Sequence, residues 1–274
     1  MFVTAGSRRS STADLFDALA GSYDQTGVAF FRPVAERLLD LAAPQPGERV
    51  LDIGCGRGAA TLPLARAVGA RGHVTAVDVA PKMVAATRAA LARERLSHGE
   101  AHIGDAQRLR VGRGFELAVA SLVLPLMDDP AAALRHWLGI LAPGGRLALS
   151  TVDAVDGPSR AVNALFERWQ TGGFSGSRPA SIKPYELARL LVDLEAAGAR
   201  TVETETEAAV LEFADIEDWR RFSMSTAQRV MWRRVPLEAQ PDFLVHVERL
   251  LSGSRGPTGS FRIEWSVRYT LARR

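Results

Sequence analysis

The sequence predicts an α/β protein: a seven-stranded, mostly parallel sheet with helices on both faces and a helical cap. Three observations carry this. Short apolar runs alternate with longer amphipathic stretches through most of the chain. The run VLDIGCGRG, residues 50–58, places three glycines at alternate positions where a strand hands over to a helix. The next strand, HVTAVD, ends on Asp78, twenty residues after Gly58. Together these describe a Rossmann-like sheet with right-handed crossovers.

The elements follow in order. Residues 12–20 and 28–43 read as two helices, the second ending before Pro44 and Pro46. A first strand near 48–53 leads through the glycines into a helix that starts near Gly58 and reaches about Val68. A strand at 73–78, a helix opened by Pro81 and a strand at 100–103 come next. Strands at 115–121 and 145–150 flank a helix that Pro130 starts, with Asp128 and Asp129 as caps, and that Pro143-Gly144-Gly145 ends. A helix at 184–197 and strands at about 200–211 and 261–271 complete the sheet. The domain reading is N-terminal helices contributing to a cap (1–45), a cofactor-binding core (46–151), a cap insertion (152–182), core continuation (183–212), a helical cap insertion (213–257) and a closing strand (258–274).

With Ala59 the glycine loop also satisfies G-x-G-x-x-A, so glycines alone do not separate a dinucleotide from other nucleoside ligands. Asp52 shifts the balance. A carboxylate two residues before the first glycine repels a pyrophosphate and attracts a sulfonium or an ammonium, which favours S-adenosylmethionine over NAD. Asp78, at a strand end, is suited to accept from both ribose hydroxyls.

At this point the chain resembles the class I S-adenosylmethionine-dependent methyltransferases of the small-molecule kind, over roughly residues 20–150. The blocks are VLDIGCGRG, VTAVDVAPKMV with Asp78, HIGDAQRL with Asp105 and Ala106, FELAVASLVLPLMDDP, and LAPGGRLALS. The resemblance implies an antiparallel last strand and a crevice beside the first strand, where the strand order reverses, bringing Asp52, Asp78, Asp105 and Ser121 together. It implies S-adenosylmethionine as cofactor, with S-adenosylhomocysteine as product. The residues it assigns to cofactor binding are Tyr23 in the stretch GSYD, Asp52, Gly54, Cys55, Gly56, Asp78, Val79, Met83, Asp105, Ala106 and Ser121. Several such enzymes carry a His in the fourth-strand block. Here SLVLPLMDD has Leu124 and Pro125 near that place, so no base carries over and the catalytic group stays unassigned.

Two segments break the βα rhythm, and they hold Trp169, Phe174, Trp219, Phe222, Met231 and Trp232. Such a cap suits an apolar small molecule, with Phe30, Leu124 and Trp219 as candidate substrate contacts. Basic and acidic residues number 34 and 31, a net charge of +3, which marks no nucleic-acid footprint. The densest basic cluster, RVMWRR at 229–234, reads as a solvated helix face with Met231 and Trp232 turned inward. One cysteine, Cys55, leaves no intramolecular disulfide and no cysteine-based metal site, and suits a cytoplasmic protein. Its expected contribution is a small side chain and a backbone N–H rather than a nucleophile. His73, His102, His136 and His246 read as surface or packing residues, and no metal is expected. No long apolar run predicts a membrane span.

The expected activity is therefore methyl transfer to an apolar or aromatic small molecule, at oxygen first, in bacterial secondary metabolism. The alternative keeps S-adenosylmethionine as a bound ligand while the capped pocket cyclises a polyene or polyketide by a pericyclic step without methyl transfer. A binding or regulatory protein with a degenerate site is a third reading. Oligomeric state is left open.

Overall fold

A computed structural model of the chain describes residues 9–169, 185–256 and 259–274. Seven strands form one sheet in the order β3-β2-β1-β4-β5-β7-β6. They are β1 (Arg49–Ile53), β2 (His73–Asp78), β3 (Gly99–Ile103), β4 (Phe115–Ser121), β5 (Leu141–Val155), β6 (Thr201–Phe213) and β7 (Phe261–Arg273). The pairs β1–β2, β2–β3, β1–β4 and β4–β5 are parallel, and β7 runs antiparallel to both β5 and β6. The order reverses at β1, which pairs β2 on one side and β4 on the other.

Helices cover both faces because the strands alternate. Val50, Leu117, Val119 and Ala148 pack with Leu38 of α2 (Phe31–Ala42) and Leu64 of α3 (Thr61–Val68). Their neighbours Leu51, Ala118, Leu147 and Leu149 pack on the other face, with Leu134 and Trp137 of α5 (Pro130–Gly139) and Leu190 of α7 (Leu187–Ala196). A strand buried on both faces must be apolar almost throughout. Asp52, 1% exposed in the middle of β1, is the exception that leads to the site. Two further helices, α1 (Arg9–Leu19) and α4 (Pro81–Arg93), pack on one another beside β2 and β3.

Four helices make the cap: α6 (Gly157–Trp169), α8 (Ile216–Met224), α9 (Arg229–Trp232) and α10 (Gln240–Leu251). Its core is aromatic, with the Phe166 and Phe243 rings 4.6 Å apart and the Trp232 ring 5.4 and 5.2 Å from them. The cap stands on the long antiparallel strands, since β6 and β7 stay paired from Thr201↔Arg273 to Phe213↔Phe261. Met231 and Trp232 are buried while Arg233 is exposed.

Local differences from the sequence reading have identifiable causes. Helix α3 starts at Thr61 rather than near Gly58, because Gly54, Gly56 and Gly58 all take positive φ (72°, 53° and 92°), a left-handed path that no helix start can follow. Helix α5 ends at Gly139, before Pro143-Gly144-Gly145, which belong to the irregular start of β5. A Cβ at Gly145 would lie 3.0 Å from the Phe115 carbonyl oxygen, so glycine lets β5 close on β4 there. Within the cap insertion, α8 and α9 are separate helices. The Ser225 and Thr226 hydroxyls donate to the Phe222 and Ser223 carbonyls (2.8 and 3.0 Å), drawing the backbone into a turn. Phe174 lies outside the described residues.

Candidate cofactor and acceptor site

The site grows from the β1–α3 turn. Gly54 and Cys55 both donate their backbone N–H to the Val77 carbonyl, at 2.7 and 3.0 Å, which stitches the loop to β2. This corrects the expectation for Cys55: its N–H is committed within the protein, and burial pushes its thiol well above the usual range, so it is an inert small side chain. The Gly56 carbonyl accepts from Thr87 Oγ1 (2.8 Å). At Gly54 a Cβ would sit 2.4 Å from Val123 Cγ2, so β4's exit also requires glycine there.

Asp78 is held by two backbone donors, Gly56 N to Oδ2 and Ala80 N to Oδ1, each at 2.9 Å. Each oxygen keeps a lone pair for a further donor, which is what a vicinal diol needs. Burial pushes this carboxyl above its ordinary value despite those bonds. Val79 is half-buried beside it. Asp52 lies beneath the loop rather than at its open face, and its Oδ2 accepts from Thr61 Oγ1 at 2.5 Å. Burial pushes its carboxyl up to about 7, and the nearby Asp78 charge adds to the effect. Two acids with raised affinity for protons, under and beside a cradle of glycines, form a pocket deficient in positive charge. A ligand bearing a ribose diol and a cationic sulfonium or ammonium fits that donor set; a pyrophosphate does not.

Tyr23 comes to the same place from the N-terminal segment. A Cβ on Gly56 would be 3.9 Å from Tyr23 Cε1, so the phenol ring lies against the glycine loop. The segment is anchored by Arg57, whose guanidinium donates to the Ala20 carbonyl, and by Asp17, which accepts from Lys82 N at the start of α4 (2.8 Å). Burial and the Asp78 and Asp24 charges raise the Tyr23 phenol, which stays neutral across the working pH range.

Other candidates are placed differently. Asp105 Oδ1 accepts from Gln107 N (2.9 Å) and caps the short turn Ala106–Arg108, while the Ala106 carbonyl accepts from the Trp137 indole (2.8 Å). Ser121 Oγ, at the end of β4, lies 3.2 Å from Ser150 Oγ within β5. Leu122, the next residue, takes φ +60°, a strained conformation for a leucine, and its N–H bonds Ser150. Met83, 1% exposed, is packed with Leu15 and Leu19 of α1, with Tyr23 against the same cluster. Leu124 is fully buried among Leu134 and Trp137 beneath α5, which removes it as a substrate contact. The histidines lie elsewhere: His136 and His246 bond the Leu109 and Asp242 carbonyls, and His73 and His102 flank Glu100 on β2 and β3.

Between cap and sheet is a cavity of about 60 Å³, lined by Val152, Val155, Val162, Trp219, Phe222, Met231 and Trp265 among others. Aromatic rings connect it to the glycine loop. Tyr23 is 4.3 Å from Phe31, Phe31 stacks 6.4 Å from Phe222, and Phe30 meets Trp265 edge-on at 5.1 Å. Phe30 is thus a buried support behind the wall, and Trp219 is on it. Phe31, Thr61, Thr87 and Arg57 escaped the sequence reading because their only signal is proximity in space.

A glycine loop at the reversal point of a parallel sheet, an acid closing the next strand and an antiparallel seventh strand make up a nucleoside-binding fold of the methyltransferase type. Residues 50–145 match the family model described as a methyltransferase domain, and this stretch of the chain is a domain of the class I S-adenosylmethionine-dependent methyltransferase kind. It is 44% identical over 137 residues to a nocamycin O-methyltransferase from Saccharothrix syringae, covering 50% of this chain and 49% of that protein. It is 37% identical over 146 residues to the aklanonic acid methyltransferase DauC from Streptomyces sp. (strain C5), covering 53% and 66%. The chain thus spans about half to two-thirds of the length of these relatives. Among solved structures, the YcgJ protein from Bacillus subtilis superposes with a TM-score of 0.62 at 15% identity, covering 88% of this chain and 98% of that one, a likeness of fold. No helix of the described residues is long and apolar enough to cross a membrane.

Proposed function

We propose that the protein transfers the methyl group of S-adenosylmethionine to an oxygen of an apolar or aromatic small molecule, in bacterial secondary metabolism. The observation that carries this is the row of rings from Tyr23 on the glycine loop through Phe31 to Phe222 on the cavity wall. Cofactor cradle and apolar cavity share that wall. The relatives named for nocamycin O-methylation and aklanonic acid methylation support oxygen and a natural-product acceptor.

When bound, the cofactor supplies an electrophilic methyl group on a sulfonium. The protein's own residues hold and orient. Asp78 receives the ribose, Asp52 supplies negative charge beneath the loop, and Tyr23 covers the open side. The N-terminal helix and the cap would exclude water from the bound cofactor and hold the acceptor oxygen facing its methyl group. No histidine is brought to the crevice, which suits an acceptor acidic enough to lose its own proton, such as a phenol or an enol. The cavity is small, so a polycyclic acceptor requires the cap to move. Residues 1–45, 152–182 and 213–257 serve as that cap in this reading, around the core of 46–151, 183–212 and 258–274.

Incubation with methyl-labelled S-adenosylmethionine and an extract of the source organism tests the proposal by mass spectrometry. Label in a product one methylene heavier than its precursor supports it and names the acceptor. An isomer of unchanged mass, formed with the cofactor intact, replaces it with the cyclase reading. Failure to bind either S-adenosylmethionine or S-adenosylhomocysteine removes both.

A further inference from the structure

The cavity contains a polar device that methyl transfer as such does not require. Ser159 and Asn163 are one turn apart on α6 and both line the cavity, with Thr226 and Gln228 as its other polar residues. Asp156 aims that helix: its carboxylate accepts from Ser159 N and from Glu264 N of β7, each at 2.8 Å.

Two indoles set the direction of the hydrogen bonds. An indole N–H only donates. Trp265 Nε1 donates to Ser159 Oγ (3.0 Å), and among the described residues nothing takes the Ser159 hydroxyl proton. Trp232 Nε1 donates to Ser223 Oγ (2.7 Å), so that hydroxyl turns its proton to Gln228 Oε1 (2.7 Å). The Gln228 amide is thereby oriented and gives Nε2 to Asn163 Oδ1 (3.0 Å). The Asn163 amide group Nδ2 is left as a donor with no acceptor among the described residues. Both α6 side chains therefore have hydrogens to offer. Among the described residues no charged side chain lines the cavity, so a carboxylate or phosphate there would be buried without a counter-charge from them.

Resting on the methyltransferase reading, we infer that Ser159 and Asn163 are the acceptor-recognition element, donating to two neighbouring oxygens of an uncharged substrate, as in an ortho-acyl phenol or a β-keto enol. Their spacing on the helix, roughly 5–6 Å between Cβ atoms, lets two donors reach oxygens on adjacent positions.

The test is calorimetry on the full chain saturated with S-adenosylhomocysteine, using ortho-hydroxyacetophenone, ortho-ethylphenol and salicylate as probes. The first should bind about tenfold tighter than the other two. Asn163→Asp keeps an acceptor for Gln228 and exchanges the donor for a carboxylate oxygen; it should weaken ortho-hydroxyacetophenone about tenfold or more and leave ortho-ethylphenol, whose hydroxyl can donate to that oxygen, no weaker. Ser159→Ala, acting on the other donor, should do the same and guards against a folding defect in the first variant. Equal affinity for the two phenols in the parent protein, or an equal loss of both in the variants, overturns the inference. Binding of S-adenosylhomocysteine is measured first on each sample: its absence sinks the methyltransferase reading, whereas its presence with undiscriminated probes sinks only this one.

Discussion

Replacing Asp52 by Asn gives the sharpest test of the electrostatics beneath the glycine loop. The Asp52 carboxyl is 1% exposed, has Thr61 as its one hydrogen-bond partner and is pushed up to about 7, chiefly by burial. In the unfolded chain it titrates near 3.9. The folded value is the higher one, so the native state holds more protons between about pH 4 and pH 7. Stability is therefore favoured on the acid side of that window and falls as pH rises through 7. Between pH 5 and pH 8.5 this group should cost the ligand-free protein about 3 kcal/mol. Asn keeps an oxygen for the Thr61 hydroxyl and has no charge to desolvate, so its contribution is flat with pH. Urea unfolding of both proteins at pH 5, 7 and 8.5 measures the difference. The variant should gain on the parent by about 3 kcal/mol across that range, while losing affinity for cationic S-adenosylmethionine. Carboxyls that do not interact with Asp52 cancel in the subtraction. A difference that stays constant from pH 5 to pH 8.5 would refute the burial argument.

Three further outcomes are expected. Asp78→Ala removes the acceptor of the Gly56 and Ala80 N–H groups and of the ribose, and should weaken S-adenosylhomocysteine binding by about 2 kcal/mol in calorimetry; unchanged affinity discards that assignment. Gly54→Ala combines φ +72° with a Cβ 2.4 Å from Val123 and should lower stability by about 2–4 kcal/mol in chemical denaturation, whereas a loss under about 0.5 kcal/mol would mean that the turn yields. Tyr23→Phe should keep turnover within severalfold because the phenol acts as a neutral lid, while Tyr23→Ala should raise KM for S-adenosylmethionine. A collapse of kcat in Tyr23→Phe would instead give the hydroxyl a chemical role.

Much of the core was legible because its signals are local in the chain. The near-continuous apolar runs Val50–Ile53 and Phe115–Ser121, Pro at the starts of α4 and α5, and the Asp129 carboxylate accepting from Ala132 N as a cap all follow from backbone chemistry within a few residues. Leu124 was misplaced for the complementary reason. It sits in a motif beside the crevice, yet the packing of α5 on it turns it into core. Pattern gives the position of an apolar residue along an element; which neighbour covers it depends on segments far away in sequence.

The sequence by itself determined the nucleoside-cofactor cradle, since glycines that must take positive φ and an acid closing an apolar strand are demands of backbone geometry and desolvation that few other functions impose. Tertiary structure alone decided where Asp52 is buried, which helix lines the acceptor cavity and which way its hydrogen bonds run. The polarity of Ser159 and Asn163 comes from Trp265 and Trp232, and Trp265 lies 106 residues from Ser159. A side chain's spare donor is known only once every partner that the fold brings to it has been counted.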